Sequence, residues 1–178
     1  MPDHYRFDFV IDVMGQKIPQ ILVFTPEKGW QKIANFKTKP LPKEELAAFR
    51  DYFYALRLAS NPAELKGKEI SLSVVGEAKI EGRDAIGIRI TCKNRPDVNL
   101  YFDKQTALPA KAELSAKDPN GGQELQNEFL FTSYKEMHGV QVATQFVWNK
   151  DGKKFLTRDI TDLRPVERID PSVFAEPQ

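Results

Sequence analysis

From Asp97 to Leu114 the chain reads DVNLYFDKQTALPAKAEL: Val98, Leu100 and Phe102 alternate with polar neighbours, a charged turn follows, and Leu108, Ala110, Ala112 and Leu114 alternate again. A period of two separates the faces of a strand, so this segment predicts a half-buried β-hairpin. The same alternation recurs along most of the chain. Tyr5, Phe7, Phe9, Ile11 and Val13 share one face of a first strand, opposite Arg6, Asp8 and Asp12, and Gly15-Gln16 supplies a tight turn. Strands follow at Ile18 to Thr25 and Trp30 to Phe36, joined by Pro26-Glu27-Lys28-Gly29; there proline presets φ and glycine tolerates positive φ. Further strands are predicted at Glu69 to Gly76, Ala85 to Lys93, the opening hairpin, Gln123 to Tyr134, Val140 to Trp148 and Phe155 to Leu163. Gly82, Asp118-Pro119-Asn120-Gly121-Gly122, His138-Gly139 and Asp151-Gly152 mark turns.

The period changes once. After Pro40 and Pro42, the residues Leu46, Phe49, Phe53 and Leu56 fall at helical spacing, Tyr52 and Tyr54 widen the aromatic stripe, Glu44 and Glu45 occupy the first turn, and Asn61-Pro62 ends the run. This predicts one amphipathic helix, Lys43 to Ala59, of about four turns. It either completes a core or lids a cavity. The tail from Arg168 to Phe174 is expected to dock through Ile169, Val173 and Phe174. The fold expected is mainly β with one principal helix, a curved antiparallel sheet of roughly nine to ten strands forming a half-open, unclosed β-barrel covered by the helix. The chain, residues 1–178, is read as a single domain.

The aromatic residues change that picture most. Phe7, Phe9, Phe24, Phe49, Phe53, Phe102, Phe129, Phe131, Phe146 and Trp148, with Leu56, are placed toward one side of the sheet and are the candidate lining of a ligand cavity. They either interdigitate as a dry core or leave an apolar groove able to hold acyl chains.

Composition narrows the partner. Lys and Arg total 26 against 25 Asp and Glu, so no net field draws nucleic acid or an anionic membrane. No run reaches about 18 apolar residues, the length that would span a bilayer as a helix. Cys92 is the single cysteine, which excludes an internal disulfide; it follows Ile86, Ile88 and Ile90 in one alternation and reads as a small core residue. The start, MPDHYRFDF, has neither a basic nor an apolar leader region and enters a strand at once, so an export signal is expected to have been removed upstream.

Candidate chemistry is sparse. His4 and His138 are not at ligand spacing and read as surface residues, so neither a metal nor another cofactor is expected. Asp8, Asp12 and Glu128 alternate with apolar residues, as on the solvent face of a strand. Ser71, Ser73, Ser115 and Ser133 lack the Gly-x-Ser-x-Gly setting of an acyl-transfer nucleophile. Gly121-Gly122 lacks the spacing of a phosphate cradle.

The succession GEAKIEGRDAIGIRI, DVNLYFDKQTALPAKAEL, QNEFLFTSYKEMHGVQVATQFVWNKDGKKF and RIDPSVFAEP resembles bacterial periplasmic lipoprotein-sorting proteins of the LolA-like fold, over most of the chain after about Glu69. The most specific parts are Tyr101 to Asp103, Tyr134 to Gly139 with the strand and Asp-Gly turn that follow, and Asp170 to Pro177. The resemblance implies an unclosed antiparallel barrel around a hydrophobic cavity plugged by helices. It also implies a periplasmic or secreted location and non-enzymatic binding of a lipid or a lipidated partner, such as a lipoprotein or envelope protein. The alternative reading is a structural or interaction module with a filled core, working through an exposed edge strand or loop.

Overall fold

The computed structural model describes residues 3–119 and 122–178. Asn120 and Gly121, in the middle of the turn expected after Asp118, lie outside the described residues. The described chain runs through β1 (Tyr5–Val13), β2 (Gln16–Phe24), β3 (Gly29–Ile33), β4 (Lys39–Pro40), α1 (Lys43–Ser60), β5 (Ile70–Ile80), β6 (Arg83–Cys92), β7 (Val98–Asp103), β8 (Pro109–Lys117), β9 (Glu124–Met137), β10 (Val140–Lys150) and β11 (Lys153–Asp159). Short 3-10 turns follow α1 at Pro62–Lys66 and close the chain at Pro171–Phe174. The fold is mainly β, with one principal helix and open, antiparallel pairing, as the alternation implies. Where one sheet was expected, the strands hydrogen-bond as two, β1-β2-β3-β4 and β11-β10-β9-β8-β7-β6-β5. Two compact units result, Met1–Arg50 with Val166–Gln178, and Asp51–Pro165.

In the first unit β1 and β2 form a hairpin whose turn residues are Met14 and Gly15, at φ 53° and 84°. The turn therefore sits one residue earlier than Gly15-Gln16, because the tight turn that suits strand twist needs positive φ at both central positions. Leu22, Val23 and Phe24 are buried at the base of the hairpin. Phe24 stacks on Tyr5 at 5.0 Å and on Phe49 at 5.8 Å between ring centroids. β3 stops at Ile33 rather than Phe36, since Ala34 takes φ 47° and leaves Phe36 exposed. β4 was not foreseen: it is a two-residue edge strand ending in Pro40, an edge being the place where a sheet tolerates proline. In the tail, Asp170 Oδ1 accepts from Ser172 N at 2.9 Å, and Phe174 packs edge-on to His4 at 5.4 Å. Phe174 is thus the peg; Ile169 and Val173 are 46% and 38% exposed. His4 is half-buried by that contact rather than a surface residue.

The second unit is built on cross-strand rows, and residues directly opposite share a face. One row crosses all seven strands as Val74, Ile88, Leu100, Ala112, Phe129, Trp148 and Leu156. The adjacent row points the other way and is polar throughout: Ser73, Arg89, Asn99, Glu113, Glu128, Asn149 and Lys154. From β5 to β10 the two rows stay one residue apart, so the period-2 patterns are in phase there and fix the register; between β10 and β11 a bulge at Phe155 shifts it. The hairpin turns at Glu81-Gly82, His138-Gly139 and Asp151-Gly152 all carry positive φ at both residues. β11 ends at Asp159 instead of Leu163; beyond Ile160, whose N–H reaches Thr144 O at 2.7 Å, the chain leaves the ladder.

α1 is amphipathic as expected, but its buried positions only partly follow the expected stripe. In the first unit Leu46 is buried, with Ala48, and Phe49 is half-buried; in the second Tyr52, Tyr54, Ala55, Leu58 and Ala59 are buried, while Phe53 and Leu56 are half-buried. The Tyr52 hydroxyl finds a partner, donating to Lys117 O at 2.8 Å. The Tyr52 ring meets Trp148 edge-on at 5.0 Å. Trp148 Nε1 in turn donates to Oδ1 of Asn127 at 2.9 Å, and Asn127 Nδ2 donates to Leu125 O at 2.9 Å. Asn127 is fully buried. Asn127→Ala strands the Trp148 N–H and opens a small void; the expected cost is about 2–3 kcal/mol, read from urea unfolding monitored by tryptophan fluorescence.

Candidate functional site

The apolar face of the seven-stranded sheet is filled at one side and open at the other. At β9 and β10, Phe129 lies 5.2 Å from Trp148 and 6.1 Å from Phe146, and Phe131 lies 6.3 Å from Phe146. Phe129, Phe131 and Phe146 are at most 7% exposed. Lys150 seals this side: its ammonium sits 4.1 Å from the Phe155 ring and 4.9 Å from that of Trp148, and pairs with Asp118 at 2.8 Å. Burial, helped by the nearby charge of Asp118, pushes the Tyr52 hydroxyl up to about 12. It stays a neutral donor across the physiological range.

Toward β5 the cover thins. Along the same apolar row Leu100 is 0% exposed, Ile88 is half-buried and Val74 is 75% exposed. In the neighbouring row Val98 and Ile90 are 0% exposed and Leu72, opposite Ile90, is 51% exposed. Phe102, opposite Ile86, is half-buried, as are Phe53 and Leu56 on the second half of α1. Cys92 ends the β6 alternation half-buried beside the Tyr54 hydroxyl, whose pKa rises to about 12, mainly through burial. The guanidinium groups of Arg57 and Arg95 flank the Tyr54 ring at 5.8 and 5.2 Å.

The candidate lining residues therefore divide. Phe7, Phe9, Phe24 and Phe49 belong to the first unit, where Phe24 is buried and Phe9 is 38% exposed. Phe53, Leu56, Phe102, Phe129, Phe131, Phe146 and Trp148 belong to the second. Within the second unit, Phe129, Phe131 and Phe146 are buried, and Trp148, Phe53, Leu56 and Phe102 are half-buried. Leu72, Val74, Ile86 and Ile88 join the accessible apolar surface without having been singled out; their alternation was legible, their exposure was not.

The opposite face carries a shallow polar hollow of about 430 Å³, lined by Arg89, Pro96, Asp97, Asn99, Glu113, Ser115, Glu124 and Gln126 with Leu114. Its side chains hold one another. Arg89 Nε donates to Asn99 Oδ1 at 3.1 Å, and Asn99 Nδ2 donates to Glu113 Oε1 at 3.0 Å. The Tyr101 hydroxyl donates to the same oxygen at 2.9 Å, and Lys111 Nζ meets Glu113 Oε2 at 2.6 Å. Burial alone would raise the Glu113 pKa, but the hydrogen bonds from Lys111, Asn99 and Tyr101 outweigh it and hold the carboxyl below its ordinary value. Gly87 makes room for this network, since a Cβ there would lie 2.7 Å from the Tyr101 ring. Across the same hollow the Ser115 hydroxyl donates to Glu124 Oε1 at 2.6 Å. Among the described residues no group of His, Cys, Asp and Glu is gathered to hold a metal ion, and no helix is long and apolar enough to cross a membrane.

No protein-family model and no curated protein matches the chain. Among solved structures it is similar to a DUF1329 family protein from Desulfovibrio piger, with 14% sequence identity and a TM-score of 0.49 over 97% of this chain and 79% of that one. It is also similar to a LolA superfamily protein from Nitrosomonas europaea, with 12% identity and a TM-score of 0.47 over 99% of this chain and 92% of that one. A putative outer membrane lipoprotein-sorting protein domain from Vibrio parahaemolyticus gives 14% identity and a TM-score of 0.42, over 90% and 79%. These relationships are remote.

Because the folded-state pKa of Glu113 is depressed, the stability it contributes is present at neutral pH and is lost as pH falls through that folded value. Glu113→Gln should therefore lower the urea midpoint at about pH 7 and leave a smaller gap from the parent protein near pH 3. A gap that stays constant between the two would mean that the ionised carboxylate stabilises nothing.

Proposed function

We propose that this protein binds an acyl chain or a comparable apolar ligand without catalysis, on the apolar face of its seven-stranded sheet beside the second half of α1. The observation that carries this reading is the gradient along that face. The row from Leu156 to Val74 is apolar at every strand, yet its burial runs from complete at Leu100 to 75% exposure at Val74. A soluble chain ordinarily leaves little contiguous apolar surface uncovered, and where it does the surface marks a binding site. The positions on this face from Ile70 to Val74, Ile86 to Cys92 and Val98 to Phe102 carry no charge, which suits a hydrocarbon and offers nothing to a polar substrate.

In this reading Phe53, Leu56 and Phe102 contact the ligand together with Ile86 and Ile88. Phe129, Phe131 and Phe146 form the buried wall behind it, with the half-buried Trp148 beside them, while Phe7, Phe9, Phe24 and Phe49 belong to the packing of the first unit. The cell-envelope location and the lipid or lipidated partner are proposed with it, from the resemblance of the sequence to lipoprotein-sorting proteins. The mutual packing of the β9 and β10 rings favours a filled core at that side, so the ligand is assigned to the β5–β7 side.

Burial of each further CH₂ contributes about 0.8 kcal/mol, so affinity for saturated fatty acids should rise about fourfold per methylene until the face is covered. Isothermal titration across a chain-length series reads this directly. Phe53→Asp should abolish the gain with length while leaving the circular dichroism spectrum intact. Affinity independent of chain length, or equal in the Phe53 variant, would remove this face from the function.

A further inference from the structure

The two edges of the seven-stranded sheet differ in kind. β11 carries Lys153, Lys154, Arg158 and Asp159 along its seven residues, and charges of this sort keep a free edge from pairing. β5, the other edge, has no charged residue and no proline from Ile70 to Gly76. Its side chains there are open: Leu72 is 51% exposed, Val74 75% and Val75 42%. Only β6 pairs with it among the described strands, so one row of backbone N–H and C=O groups faces away from β6; at its first residue the Ile70 N–H is already taken, donating to Gly67 O at 3.1 Å.

The segment is also self-complementary. Ile70-Ser71-Leu72-Ser73-Val74 reads apolar, serine, apolar, serine, apolar in both directions. If two copies meet antiparallel about Leu72, then Ile70 of one copy faces Val74 of the other, Ser71 faces Ser73, and Leu72 faces its own counterpart. Each pair is apolar on apolar or hydroxyl on hydroxyl, the combinations that stabilise cross-strand neighbours. A two-fold pairing of this type is isologous and closed, so it stops at a dimer. The β-bulge between Val74 and Gly76, where Gly76 has φ 128°, kinks the edge just beyond this segment and sets the length of the matching stretch.

We infer that the β5 edge, from Ile70 to Val74, is a homodimer interface, in which two copies join antiparallel about Leu72 into one continuous sheet. The charged β11 edge stays free. This inference rests on edge chemistry and register, and stands or falls separately from the binding of an apolar ligand.

The test is sedimentation of the purified protein over a concentration series, together with oxidative crosslinking. The parent chain should sediment as a dimer that dissociates on dilution. Leu72→Lys should raise the dissociation constant at least about tenfold, because it places two like charges face to face. In a Cys92→Ala background, Leu72→Cys should form a disulfide-linked dimer rapidly, and Thr157→Cys on β11 should not. If Leu72→Lys does not fold, the cysteine pair decides alone. A parent chain that stays monomeric up to about 1 mM, a dimer indifferent to Leu72→Lys, or equal crosslinking at both edges overturns the inference.

Discussion

A buried amide ties β9, β10 and the second half of α1 together in the second unit. Asn127 lies near the start of β9, between Leu125 and Phe129 on the same face and opposite Lys150, fully removed from water. An unpartnered amide there would cost about 1–3 kcal/mol, so its oxygen and nitrogen must both find partners. The oxygen takes the Trp148 N–H and the nitrogen gives to Leu125 O. That pins the indole, the indole supports the Tyr52 ring, and the Tyr52 hydroxyl caps Lys117 O at the end of β8. This chain of contacts ties the second half of α1 to the β8–β10 side of the sheet. The Lys150 ammonium closes the same corner, held between the Trp148 and Phe155 rings and the Asp118 carboxylate.

The two faces of the sheet divide the energetic work. The apolar rows supply area burial, which is non-directional and would tolerate slippage by two residues. The polar rows remove that freedom: the links from Arg89 through Asn99 and Glu113 to Lys111 form only when β6, β7 and β8 are in one alignment. Tyr101 belongs to both functions, lying across Gly87 with its ring while its hydroxyl binds Glu113. The strongest electrostatic ordering in this unit thus lies away from the face proposed to bind a ligand, and the binding face is left chemically plain. Such a face selects by length and shape of hydrocarbon, since it presents few directional groups.

Much of the architecture is legible in the chain because β-strands write their burial in a period of two and tight hairpins require glycine. The strands, the turns at Gly82, His138-Gly139 and Asp151-Gly152, and the one helix were readable for those reasons. The errors have local physical causes. β3 is cut short by Ala34 in a left-handed conformation, which no pattern announces in an alanine. The buried positions of α1 include Leu46, Tyr52, Ala55, Leu58 and Ala59, while the larger Phe49, Phe53 and Leu56 are only half-buried; the Tyr52 hydroxyl, donating to Lys117 O, can be buried because it has a partner. Of the candidate lining residues the sequence could say that they are apolar and in phase; it could not separate Phe129, closed in by its neighbours, from Phe102, left half open.

The sequence by itself determined the alternation within each strand, the place of the helix and the palindromic order of residues from Ile70 to Val74, since each is a property of residue order and local conformational preference. Only the tertiary structure decided that the strands hydrogen-bond as two sheets, that β5 is an edge, and that the helix leaves the apolar face uncovered toward Val74. Those outcomes depend on which segments far apart in the chain exchange hydrogen bonds and occupy the same space, and no periodicity within a segment encodes its distant neighbour.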